Sequence, residues 1–252
     1  MAEINAEHLE QYEREGYCLV RGLIPAAEVE AVRRRSLEAA VDLPAWPPRH
    51  FQVLDPARLR AGGGGPLAAG IQRPASQEAV FAAVAGHPNL AAAMAALLRG
   101  PVELFTDQVG VKHGALEEEQ GGCSYFHQDS WYWKVEPHLG CNCWIPLTQV
   151  GPGASALAVM PGSQAGWELT EHESYFDDPP MGHLGGDGFT PFKRHRIPAG
   201  GVDFAREALV DTRPGDGLFF TNYTWHRSEP NRSGDTQAFY AIAYRRREGA
   251  DG

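Results

Sequence analysis

The chain has 252 residues, 43% of them hydrophobic and 21% charged, with a formal net charge of −10. That length can bury one substantial core, so a single domain over residues 1–252 is expected, and the composition excludes a disordered or fibrous chain. The acidic balance argues against nucleic acid as a partner, because phosphate backbones need concentrated Lys and Arg. A membrane span needs about 18 apolar residues and none is expected here; the charged opening MAEINAEHLEQYEREG differs from a secretory leader, so a cytoplasmic location is expected. Cys18, Cys123, Cys141 and Cys143 lack CxxC spacing and are expected to stay reduced.

In chain order, Asn5 to Gly16 predicts a short amphipathic helix with Leu9 and Tyr12 on one face and Gly16 as its C-terminal cap. Tyr17 to Leu23 predicts a strand. Pro25 then precedes a helical repeat of Val29, Val32, Leu37 and Val41. Asp42 to Pro74, rich in Pro, Gly and Arg and including Gly62 to Gly65, predicts a loop. Ser76 to Ala85 and Asn89 to Arg99 show helical spacing, with Ser76 as N-cap and Gly100-Pro101 as the stop.

After this mostly helical part (1–101) the character changes. Val102 to Lys112, Cys141 to Thr148, Ala156 to Met160, Leu209 to Asp211, Gly217 to Tyr223 and Gln237 to Arg245 are short β-rich runs divided by turn-rich segments. Such spacing predicts a mainly β core over 102–245, a sandwich or barrel with the helices packed on one face. Residues 166–204 show little periodicity and include DDPPMGHLGGDGF, which predicts a lid-like insertion.

YFHQDSWYW holds a His-x-Asp pair, His127 and Asp129, and NYTWHRSEPNRS supplies His226 after another β run. On a strand, residues two apart share a side, so His127 and Asp129 can address one point while Gln128 faces away. Two imidazoles and a carboxylate on one face of a metal leave positions open for a co-substrate and O2, the arrangement of non-haem Fe(II) oxygenases. His-x-Asp alone is a weak motif, and the same three residues also suit Zn²⁺ in a hydrolase or a catalytically silent binding protein. Trp131 and Trp133 alternate along the same run, with stacking on a substrate and core packing both open. Arg194, in the insertion, is a candidate for an acidic substrate group.

Four ordered blocks resemble the phytanoyl-CoA dioxygenase family over nearly the whole chain. They are LEQYEREGYCLVRGLIPAAEVEAV; the strand carrying Gln108 and Lys112 with the His-x-Asp pair; WIPLTQVGPGASALAVMPGSQAG; and PGDGLFFTNYTWHRSEPNRS. The resemblance implies a double-stranded β-helix (jelly roll, cupin-like), metal ligands His127, Asp129 and His226, and Fe(II), 2-oxoglutarate and O2 acting on a small-molecule substrate. It implies co-substrate contacts from Gln108, Lys112, Trp144, Ser228 and Gln237. The chain departs from the family at Gln237, where an Arg usually meets the far carboxylate of 2-oxoglutarate, and at Gln164, where the turn commonly carries His. The Gln237 departure leaves open a different basic anchor, weak co-substrate binding, or an iron enzyme that does not use 2-oxoglutarate.

Overall fold

A computed structural model describes residues 4–57, 65–114 and 124–247; Cys123 and most of the Gly62 to Gly65 run lie outside them. The first helix, α1 (Ala6–Glu15), is capped at both ends, at Gly16 as expected. Asn5 accepts from the His8 amide at 2.9 Å, the His8 ring accepts from the Asn5 amide, and Gly16 closes the helix at φ 81°, a left-handed conformation that costs a residue with a Cβ. Gln164 donates to the Glu13 carbonyl at 3.1 Å, so the departure at that position clasps the end of α1 and takes no part in the site.

β1 (Tyr17–Val20) stops short of Leu23, and α2 (Ala26–Val41) buries Val29, Val32, Ser36, Ala39 and Ala40. Val41, expected inward, is 55% exposed because the helix ends there. The Asp42 to Pro74 stretch is not all loop: it holds β2 (Phe51–Leu54) and β3 (Ala68–Gln72). Glu78, not Ser76, precedes α3 (Ala79–Ala85), because Ser76 ends a 3-10 turn. α4 (Pro88–Leu97) follows, with His87 accepting from the Asn89 amide. Ala79–Leu97 does have the length and mean hydropathy, 1.5, of a spanning helix, against the sequence expectation. In the fold it breaks at Gly86 and His87 into two helices that bury Phe81, Val84, Leu90 and Met94 in the core.

The β part comprises β4 (Val102–Lys112), β5 (Ser124–His127), a helical turn α5 (Asp129–Trp133), β6 (Gly140–Pro146), β7 (Leu157–Val159), β8 (Glu173–Tyr175), β9 (Met181–Gly185), β10 (Gly188–Pro191), β11 (Arg194–Arg196), β12 (Ala208–Leu209), β13 (Gly217–Thr221), β14 (His226–Ser228) and β15 (Gln237–Arg246). Among the described residues the main sheet runs β1-β13-β6-β15-β4-β3-β2-β9-β10, and β12-β7-β14-β5 forms a second. They make the double-stranded β-helix. The helices pack with β4, β6 and β15 side chains such as Val109, Cys143, Tyr240 and Ile242 in the main core. The alternate residues of those strands, Gln108, Trp144, Phe239 and Ala241, face a cavity, as the strand period of two requires. The 166–204 segment is not structureless: β9 and β10 extend the main sheet through β2, and β8 pairs with β11.

Candidate metal centre and its cavity

His226 begins its own strand and sits directly opposite His127 in the β5–β14 pair, their ring centroids 4.3 Å apart. Asp129 is not on a strand. β5 ends at His127, and Asp129 opens α5. Gln128 between them keeps an extended backbone, φ −115° and ψ 131°, so its neighbours still project to one side.

Asp129 Oδ1 lies 3.9 Å from His127 Nε2 and 3.7 Å from His226 Nε2. The three ligand atoms fall within 4.8 Å of one another, a donor set that could hold a metal ion. Each histidine has its Nδ1 on a backbone carbonyl, Tyr125 at 2.8 Å and Thr224 at 3.1 Å. A carbonyl only accepts, so Nδ1 carries the proton and Nε2 presents a lone pair inward. Burial, then the neighbouring His226, pushes the His127 pKa down to about 3, and burial takes His226 down to about 4. Both rings are therefore neutral and ready to ligate. Burial raises Asp129 to about 6, the signature of a carboxylate short of compensating positive charge, which a divalent cation supplies. Its second oxygen accepts from Asn142 Nδ2 at 3.0 Å. Asn142 was not among the sequence candidates; an Asn inside the otherwise apolar CNCWI run was the available signal.

The centre opens into a cavity of about 480 Å³. Lys112 and Ser228 line it, with the Lys112 ammonium 2.9 Å from Ser228 Oγ and donating also to the Glu229 carbonyl. Gln108 and Trp144 line it too, and the buried Trp144 indole N–H has no acceptor among the described residues. Gln237 is the exception among the expected co-substrate contacts. It stands opposite Lys112 in the β4–β15 register but is not part of the cavity wall, its amide bonded to Thr148 Oγ1 and Ser233 Oγ.

Of the substrate candidates, Trp133 and Arg194 line the cavity and Trp131 does not. Trp131 stacks on His172, centroids 4.4 Å apart, while Tyr132 takes the cavity position. Strand alternation failed here because the run is a helical turn. Arg194 is held by Asp177 through both Nε and Nη2, so its charge is already met.

A curated relative, the ectoine dioxygenase of Stutzerimonas stutzeri (strain A1501), is 30% identical over 168 residues, covering 64% of this chain and 51% of the relative. The chain thus spans about half the length of the curated relative it matches. The fold is shared with the crystal structure of EctD from S. alaskensis with 2-oxoglutarate and 5-hydroxyectoine, at TM-score 0.71 and 19% identity, over 97% of this chain and 77% of that one. It is shared also with the non-heme alpha ketoglutarate dependent epimerase SnoN from nogalamycin biosynthesis, at TM-score 0.66 and 18% identity, over 95% and 80%. A profile of the phytanoyl-CoA dioxygenase (PhyH) family matches residues 12–238, the span that contains the paired histidines, Asp129 and both sheets, and the chain belongs to that family.

Proposed function

We propose that the protein is a non-haem Fe(II)- and 2-oxoglutarate-dependent oxygenase that uses O2 to oxidise a small organic molecule, with His127, Asp129 and His226 as the iron ligands. The observation that carries this reading is the convergence of two neutral imidazole Nε2 atoms and Asp129 Oδ1 on one point at a cavity wall. Bound ferrous iron supplies O2 activation coupled to decarboxylation of the keto acid and to hydrogen abstraction from the substrate.

The protein's part is positioning. Asn142 fixes the Asp129 rotamer, and the Tyr125 and Thr224 carbonyls fix both imidazole tautomers. Lys112, steadied by Ser228, offers the cation for the far carboxylate of 2-oxoglutarate, in place of the Arg that Gln237 replaces. Trp144 offers an N–H along the same wall. With a cation already in the cavity, the case for an electron source other than 2-oxoglutarate weakens. Retention of Asp129 favours hydroxylation or another hydrogen-abstraction outcome. The buried free thiols of Cys18, Cys141 and Cys143 suit a reducing, cytoplasmic setting.

The test is iron stoichiometry and co-substrate titration. Replacing any of the three ligands with Ala is expected to lower bound iron well below that of the wild type, and Asn142→Ala to weaken iron about 10–100-fold. Anaerobic 2-oxoglutarate should produce a metal-to-ligand charge-transfer band in the wild type. Full iron retention in all three ligand variants would rule the assignment out.

A further inference from the structure

The β2, β3 and β4 side of the cavity is walled by amides. Gln108 faces Gln72 across β3–β4, and Gln52 faces Gly70 across β2–β3, with Gly70 and Gln72 on one side of their strand. Gly70 matters because it has no side chain: a Cβ there would lie 2.5 Å from Gln52 Oε1 and 3.3 Å from Gln108 Nε2. The missing side chain lets Gln52 lie across β3 towards Gln108. All three glutamines line the cavity that holds the histidines. Their side-chain amides form no hydrogen bond among the described residues, and Gln72 Nε2 is buried without an acceptor.

Three primary amides with open donors and acceptors are an under-satisfied surface. Nearby charges are largely engaged. Arg194 is held by Asp177, Arg196 by Glu173, and Asp107 accepts from Tyr240 and from the Ala75 amide; Lys193 leans over the Phe176 ring. Trp133 and Phe192 add apolar faces to the cavity wall. Hydroxyl groups both donate and accept, so vicinal hydroxyls match amide pairs, and the C–H face of a ring matches an aromatic wall. A carboxylate or phosphate would accept from the amide N–H groups but leave their oxygens unmet. Lys112 is four residues along β4 from Gln108, roughly 13 Å by strand rise, which sets Gln108 and its partner Gln72 apart from the co-substrate anchor.

We propose that Gln52, Gln72 and Gln108 form the specificity-determining wall and that the substrate presents a neutral, polyhydroxylated ring, a sugar or cyclitol unit. The proposal rests on the oxygenase reading only for which end of the cavity receives 2-oxoglutarate.

Saturation-transfer NMR tests it on the full chain loaded with Zn(II), a diamagnetic stand-in for iron, and 2-oxoglutarate. The probes are methyl glucoside, methyl galactoside and myo-inositol, set against glucuronate, glucose 6-phosphate and octanoate. Contact with the neutral polyols is expected, weakened at least tenfold by Gln52→Leu and by Gln72→Leu, while 2-oxoglutarate contact in the same sample is unchanged. Gln72→Glu, close in shape, is expected to shift preference towards methyl glucosaminide over methyl glucoside by fivefold or more. Absence of polyol contact, better contact with the anions, or polyol contact indifferent to both Leu variants would overturn the proposal. If 2-oxoglutarate itself shows no contact, the oxygenase reading fails, and the comparison of polyols with anions across the glutamine variants still decides the wall.

Discussion

Replacing Lys112 with Met keeps most of the buried aliphatic stem and removes the ammonium that Ser228 and the Glu229 carbonyl hold. If that ammonium meets the far carboxylate of 2-oxoglutarate, its loss removes a charge-assisted bond worth about 1.5–3 kcal/mol, or roughly 10–150-fold in Kd. Gln237 is off the cavity wall and tied to Thr148 and Ser233, so Gln237→Ala is expected to change co-substrate Kd by less than about threefold, about 0.7 kcal/mol. Titrating the charge-transfer band of both anaerobic variants checks this; equal losses would return the anchor to Gln237. The grouping of His127, Asp129 and His226 was legible in the sequence from the His-x-Asp spacing, a single His after a later β run and the resemblance of four ordered blocks. Asn142, Gln52 and Gln72 were not. Each reaches the site through a sheet register between strands far apart in sequence, and register is set by the packed sheet, not by any local motif.

At the scale of elements, the turn carrying Asp129 depends on Gln128, a fully buried side chain with partners on two other segments. Its Nε2 donates to the Glu168 and Tyr223 carbonyls at 2.9 Å, its Oε1 accepts from the Thr170 amide, and its own amide donates to His172 Nε2. Gln128→Leu keeps similar volume but strands these groups, at an expected cost of about 2–3 kcal/mol in urea denaturation, together with weaker iron binding. Unchanged stability would mean that the 168–172 segment is not fastened through this residue. The same turn shows where local reading fails. YFHQDSWYW is aromatic-rich and reads as strand, yet α5 is fixed by tertiary bonds, from the Ser130 amide to the Asn222 carbonyl and from Asn222 Nδ2 to Ser130 Oγ. α1, α2, β4 and β15 were legible because capping residues, a Pro start or long alternation mark them within their own sequence. β2 and β3 were not, since AAGIQ has little strand propensity and becomes strand by lying between β2 and β4.

At the scale of the whole molecule, the expected lid over 166–204 divides into two parts with different attachments. The β9–β10 hairpin belongs to the main sheet, pairing through Val53 with Gly182 and Leu54 with Met181, and the Asp55 amide donates to the Pro180 carbonyl. The β8–β11 ribbon stands at the metal end: the Ile197 amide donates to the Phe126 carbonyl next to His127, and Tyr132 bonds the His195 backbone. It also carries Tyr175 and Arg194 into the cavity wall. The β8–β11 ribbon pairs with no further strand among the described residues, whereas the hairpin is bonded through β9 onto β2 of the nine-stranded sheet, so the ribbon has the lower local opening energy. Closure over a bound ligand should therefore act on the ribbon and leave the hairpin alone. Amide hydrogen exchange across residues 173–177 and 193–197 is expected to slow at least fivefold when the iron-loaded protein is saturated with 2-oxoglutarate and a bound polyol, or about 1 kcal/mol of added protection. Exchange across 181–191 should stay within experimental error of the ligand-free protein. Uniform slowing over both stretches would make the insertion one rigid cover, and no slowing in either would remove its role as a lid.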